Sequence, residues 1–228
     1  MSAAPARTFR YRSTAFLLFL LFLLCTPVIA SAAPAAQSAI TADASGQIIT
    51  GFPVVAQAWA LSCEYAATSA ATAYYGGTIS QRTFLTAIGH DENPHKGFRG
   101  SIYGAWGGTK NYGVYAEPIV AVLRAYGFSH SYVFYGGAST LRSEIAAGHP
   151  VVTWISGTWG MTSRSTSVDA AGDWYSVIAD EHAVTAYGYD DRGVWVMDPG
   201  GAEKYHVAWA TFLRGWNQID GMALVVAP

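Results

Sequence analysis

The chain has 228 residues, 51% of them hydrophobic and only 12% charged, with a formal net charge of −2. A sparsely charged, slightly acidic chain without a basic run argues against a nucleic-acid binder. An aromatic content of 14% argues against disorder.

Part of the apolar bias sits at the N-terminus. Ala15–Leu24 is an unbroken apolar run, preceded by Arg7, Arg10 and Arg12 and followed by Ala30, Ser31 and Ala32. This is the layout of a secretory signal peptide over residues 1–32, with a retained N-terminal anchor as the alternative. The run is short for a membrane span, which needs roughly 20 apolar residues, and Pro27 interrupts it. The protein is therefore expected to be secreted or extracytoplasmic, tethered only if the leader is kept. Removing residues 1–32 takes three of the 13 basic residues and none of the 15 acidic ones, leaving ten against fifteen, a charge of −5. About 196 residues remain, enough for one domain with a full core.

Residues 33–50 are rich in Ala, Ser and Thr and read as a linker, with the domain over 51–228. The first helix is expected at Cys63–Tyr75, with Ser62 as N-cap, alanines inside and Gly76–Gly77 as the stop. Further helices are expected at Ser80–Ile88, at Glu117–Tyr126 with Pro118 in its first turn, and at Ser139–Ala147. β-branched and aromatic runs follow at Val151–Ile155, His182–Tyr189, Val194–Met197, Lys204–Val207 and Met222–Val226, interrupted by a short helix near Trp209–Gly215. Helices first and strands second predict an α+β fold with a mostly antiparallel sheet. Gly89–Gly108 and Ser156–Ala179 are long and turn-rich, the first a wall of a cleft, the second a lid or a loose loop.

One cysteine remains once the leader is set aside. Cys63 has no intramolecular disulfide partner, and a leftover thiol in an exported chain calls for an account. It follows Ser62 and so opens a helix, where free N–H groups and the helix dipole favour a thiolate. Glu64 would oppose that shift, but successive helical residues point apart. His182 opens a strand and is rigidly placed for a base; His90, His95, His130 and His149 fall in turn-rich segments. Asp198 ends the next strand, joined by a tight turn at Asp190–Gly193, and lies near His182 if the register allows. Asp180, Glu181, Asp190 and Asp191 read as solvated turn residues. Gln57, six residues before Cys63, could aim its amide at an oxyanion beside the Cys63 N–H. Asp91, Glu92, Asn93 and His95 could offer metal ligands, but no zinc or EF-hand spacing is present; no metal and no cofactor are expected.

These residues resemble a known family. Gln57, then Leu61-Ser62-Cys63-Glu64-Tyr65-Ala66-Ala67, then Asn93-Pro94-His95-Lys96-Gly97-Phe98-Arg99-Gly100 and Tyr112-Gly113-Val114-Tyr115-Ala116-Glu117-Pro118, are similar to blocks of the C39-like peptidases. So are Gly148-His149-Pro150-Val151-Val152, His182-Ala183-Val184 through Gly188-Tyr189-Asp190, and Asp198-Pro199. The blocks span about residues 52–227 in the family's order. The resemblance implies a papain-like fold and a Cys–His–Asp triad: Cys63 as nucleophile, His182 as base, Asp198 as orienting acid, Gln57 as oxyanion donor. The chain departs from the double-glycine-leader peptidases in reading Cys63-Glu64-Tyr65 rather than Cys-Gly-Pro, and it carries no P-loop motif, as in the stand-alone branch. Trp106, Tyr112, Tyr115 and Trp159 are candidates for an aromatic substrate wall. The expected partner is a peptide or protein. Peptidoglycan, met by an amidase or acyltransferase of the same fold, is one alternative; a binding domain without turnover is another.

Overall fold

Alanine decides where the first helix can lie. In the computed structural model, which describes residues 46–228, α1 runs from Cys63 to Tyr74 and is buried on every side as far as Thr72. Ala66, Ala67, Ala70 and Ala71 are fully enclosed, and side chains this short let the helix lie close to the sheet. Its hydroxyls are satisfied locally: Thr68 donates to the Glu64 carbonyl and Ser69 to the Ile79 carbonyl, each at 2.7 Å. Thr185 on the sheet donates to the Ala67 carbonyl at 2.9 Å, which fixes the helix against it.

The remaining helices are α2 (Gln81–Ala87), α3 (Ala116–Ala125), α4 (Ala138–Ala146) and α5 (Trp209–Trp216). All begin within one residue of their expected starts. Ser80 caps α2 by accepting the Thr83 N–H. Gly127, at φ 94°, ends α3 in a backbone shape other residues adopt with strain.

The strands are β1 (Gln47–Ile48), β2 (Tyr132–Tyr135), β3 (Val151–Ser156), β4 (Arg164–Val168), β5 (Trp174–Ile178), β6 (Glu181–Tyr189), β7 (Gly193–Asp198), β8 (Glu203–Ala208) and β9 (Met222–Val225). Six form one antiparallel sheet in the order β2-β9-β3-β6-β7-β8, and β1 adds to the end of β6. The fold is α+β, with its core between this sheet and the helices.

Three expectations need correction. Gln47 and Ile48 pair with Tyr189 and Gly188, and Ile49 is buried, so the sheet reaches back into the stretch read as linker. The leader and residues 33–45 lie outside the described residues. Tyr132–Tyr135 was not expected as a strand; its partial burial on a sheet edge leaves no clean alternation to read. Ser156–Ala179 is neither lid nor loose loop but holds the hairpin β4–β5. The turn of that hairpin is tied down by Lys96, which pairs with Asp169 and Asp173, each at 2.7 Å, and by the Asn93 amide, which donates to Asp169. Polar residues that look like loop in sequence here form a two-stranded ribbon exposed on β4.

The close seating of α1 gives a test. Ala70→Leu adds three heavy atoms where none fits, and should cost about 1–3 kcal/mol in urea unfolding, whereas Ala87→Leu at the exposed end of α2 should change stability little.

Candidate active site

The loop before α1 is held from α2. The Gln81 amide donates to the Ala56 carbonyl at 2.8 Å, while its oxygen accepts the Ala58 N–H and the Ser62 hydroxyl, both at 2.9 Å. Ser62 is therefore not the expected side-chain cap; its hydroxyl is turned to Gln81 and to the Trp59 backbone. Nothing in the sequence marks Gln81 for this, since its partners lie about twenty residues earlier on a coil segment.

Gln57, Ala60, Cys63, Trp106, Gly157, His182, Asp198, Gly200 and Gly201 line one cleft of about 280 Å³. All four residues singled out for catalytic chemistry are among them. Gln57 lies at the wall, with its amide donating to the Trp59 and Ala60 carbonyls at 3.1 and 2.9 Å. Its backbone N–H donates to the Pro199 carbonyl, joining this loop to the turn after β7.

His182 and Asp198 meet because of a bulge. The β6–β7 ladder shifts between Ala186 and Gly188: Gly188 faces Trp195, Ala186 faces Val196, and Thr185 faces Met197. One step on, Asp198 falls opposite Val184 and so shares a face with His182. Without the extra residue Asp198 would fall opposite Thr185, on the other face. The His182 Nε2 and Asp198 Oδ1 lie 2.8 Å apart. The second Asp198 oxygen accepts the Tyr205 hydroxyl at 2.9 Å, and the Gly200 N–H also donates to the carboxylate. Burial raises the Asp198 carboxyl, but these partners outweigh it, His182 foremost, and hold it at about 2.

The surroundings of Cys63 are not those expected. The thiol is 5% exposed, and it donates to Glu64 Oε2 at 3.3 Å. Burial pushes the thiol up, and the negative charges of Glu64 and Glu181 push it further, against the favourable pull of the Ala183 N–H. Glu64 does not point away: its side chain turns back beside the sulfur and accepts the Val114 N–H at 2.8 Å. Burial raises its carboxyl to about 7. Glu181 is no solvated turn residue but 4% exposed, its carboxyl raised by burial, then by Glu64 and Asp180. A Cβ on Gly113 would meet Glu64 Oε1 at 1.9 Å, so only glycine lets this carboxylate reach the backbone.

Of the proposed aromatic wall, Trp106 alone lines the cleft, with its indole donating to the Glu181 carbonyl at 2.8 Å. Tyr112 and Tyr115 are core: their hydroxyls bond to each other at 2.8 Å, and Tyr115 donates to the Ser176 carbonyl. Trp159 packs against Phe212 of α5. In the loop weighed for metal, Asp91 accepts the Asn93 N–H, Asn93 is buried against Asp169, and His95 bonds Glu117 at 2.9 Å, so these side chains hold the loop together.

Comparison with known proteins agrees with this architecture. Residues 42–224 match the model of the Peptidase_C39 like family, and the chain belongs to that family. The fold is papain-like α+β. The uncharacterised protein YvpB of Bacillus subtilis (strain 168) is 25% identical over 180 residues, which cover 72% of this chain and 68% of YvpB. The crystal structure of a candidate C39-like peptidase from Bacillus anthracis superposes with a TM-score of 0.71 at 23% identity, covering 81% of this chain and 98% of that one, a likeness of fold.

Asp198 sets an acid limit. A carboxyl held at about 2 instead of the ordinary 3.8 stabilises the fold above pH 4 and loses that contribution as pH falls toward 2. Urea unfolding from pH 5 to 2 should show a loss on the order of 1–2 kcal/mol from this group, and Asp198→Asn should flatten that portion of the curve.

Proposed function

We propose that this chain is an exported cysteine peptidase that hydrolyses peptide bonds through Cys63, His182 and Asp198. One observation carries the reading: in the cleft that Cys63 lines, Asp198 occupies His182 Nε2 at 2.8 Å, which leaves Nδ1 as the ring nitrogen for proton exchange with the thiol. The Cys63 sulfur attacks the carbonyl carbon of the bound peptide as its proton passes to His182. The tetrahedral oxyanion is met by the Cys63 N–H at the start of α1, and by the Gln57 amide once it releases one of the Trp59 and Ala60 carbonyls it bonds in the resting site. His182 then returns the proton to the leaving amine, and water repeats the sequence to free the acyl group. Asp198 stabilises the imidazolium formed between the two transfers. In the resting site the thiol proton is turned to Glu64, so the reacting state requires the thiol to swing to His182. Family membership supports peptidase chemistry, and the basic, then apolar, then small-residue N-terminal run supports export.

The purified chain, incubated with a peptide library and with peptidoglycan, should yield cleaved peptide bonds, and fractionation should find it outside the cytoplasm. Cys63→Ala should abolish turnover, and His182→Ala should lower it by at least about 100-fold. Equal turnover by Cys63→Ala overturns the reading. So does saturable binding of either substrate without products, which would mark a binding domain.

A further inference from the structure

Beside the Cys63 thiol, and outside the lining of the cleft, lie two carboxyls that the proposed reaction does not use. One ligand atom from each of Cys63, Glu64 and Glu181 falls within 4.8 Å of the others, and all three residues are buried. Among the described residues neither carboxyl pairs with a basic side chain. Among the described residues, Glu181 Oε1 is buried with no hydrogen-bond partner. An oxygen acceptor left without a partner in a low-dielectric site is costly, and a native fold that keeps one calls for an account.

We propose that Cys63, Glu64 and Glu181 form a binding site for a divalent cation of the zinc class, and that its capture ties up the thiol sulfur.

The donor set fits such an ion. One thiolate with two carboxylates suits a borderline cation; magnesium and calcium select oxygen alone. A tetrahedral ion with ordinary Zn–S and Zn–O bonds spaces its donors roughly 3.3–3.6 Å apart, and Cys63 Sγ already lies 3.3 Å from Glu64 Oε2. The Val114 N–H holds the other oxygen of Glu64, which orients the free one in the way that outer hydrogen bonds orient metal ligands. Gly113 supplies the room for that carboxylate to sit against the backbone. Cys63 is the member that lines the cleft, so a route from solvent exists, and water from the cleft can complete the coordination. Binding exchanges protons for the ion. The S–H bond breaks, the sulfur lone pair binds the metal, and the thiol proton leaves to water together with any proton the carboxyls hold. A sulfur bonded to the ion is no longer a nucleophile. That consequence for turnover rests on the peptidase reading above, whereas the site itself does not.

The test uses the full chain, freed of metal, titrated with Cd²⁺ as a spectroscopic probe and with Zn²⁺. One Cd²⁺ per chain should raise an ultraviolet thiolate-to-metal charge-transfer band. The band should be absent in Cys63→Ser, and affinity should fall at least about tenfold in Glu181→Gln with its fold verified by circular dichroism. Independently of any variant, one equivalent of Zn²⁺ should protect Cys63 of the wild-type chain from iodoacetamide, and a chelator should restore its alkylation. No band and no protection in the wild type overturn the site, as does a folded Glu181→Gln with unchanged affinity. Peptide cleavage is followed in the same samples. A chain that binds the ion but never cleaves upholds the site and fails the peptidase reading. A chain that cleaves without band or protection does the reverse.

Discussion

The cleft depends on how closely one helix can approach one strand. Cys63 belongs to α1 and His182 to β6, two elements far apart in the chain that are held together by packing and by a hydrogen bond between them. The alanine faces of α1 and the Thr185 bond to the Ala67 carbonyl set that distance. A bulkier helix would lift the sulfur away from the sheet before altering any residue of the site. The loop that enters α1 is governed in the same way: Gln81 holds its Ala56 carbonyl and Ala58 N–H from α2, and the Gln57 N–H reaches the Pro199 carbonyl after β7. Three separate stretches of chain therefore meet at the first turn of α1.

Burial then governs the chemistry. A thiol at a helix start was expected to be easily ionised, but the helix dipole acts over about one turn and amounts to little beside desolvation. Here the sulfur is enclosed, and two carboxyls face it. The same burial raises Glu64 and Glu181, so the group of three holds protons that exposed residues would release. His182 and Asp198 are different: the carboxyl there has three partners and stays ionised. The cleft thus has a wall inclined to hold protons and a wall inclined to hold charge.

Much of this was legible in the sequence, and what was not has a common cause. Helix starts at Cys63, Gln81 and Ala116, and the strands from Val151 onward, follow from capping residues, glycine stops and β-branched runs, which are local signals. That Gln57, Cys63, His182 and Asp198 share a cleft was readable as a set only because of their order along the chain and the family resemblance. Glu64 and Glu181 were misread because local rules say where a residue starts, not where a flexible carboxylate ends; Glu64 is drawn inward by the Val114 N–H, and both are enclosed by a tertiary fold that local rules do not see. Tyr112 and Tyr115 were candidates for a substrate wall, and the structure pairs their hydroxyls in the core instead. The hairpin β4–β5 escaped because its outer strand is wholly exposed, so neither face carries the apolar alternation that marks a strand.

The bulge in β6 has a consequence for how such a chain can change over generations. Side chains along a strand alternate like a two-position counter, and the extra residue at 187 sets the count between His182 and Asp198. Most substitutions near the turn at Asp190–Gly193 leave that count alone. Loss or gain of a single residue within the paired stretches, 186–189 or 194–197, reverses it and sends Asp198 to the far face, however conservative the surrounding sequence. Two residues lost or gained together preserve it. The paired stretches on either side of the turn should therefore tolerate drift in identity far better than drift in length, and length changes tolerated there should come in even numbers.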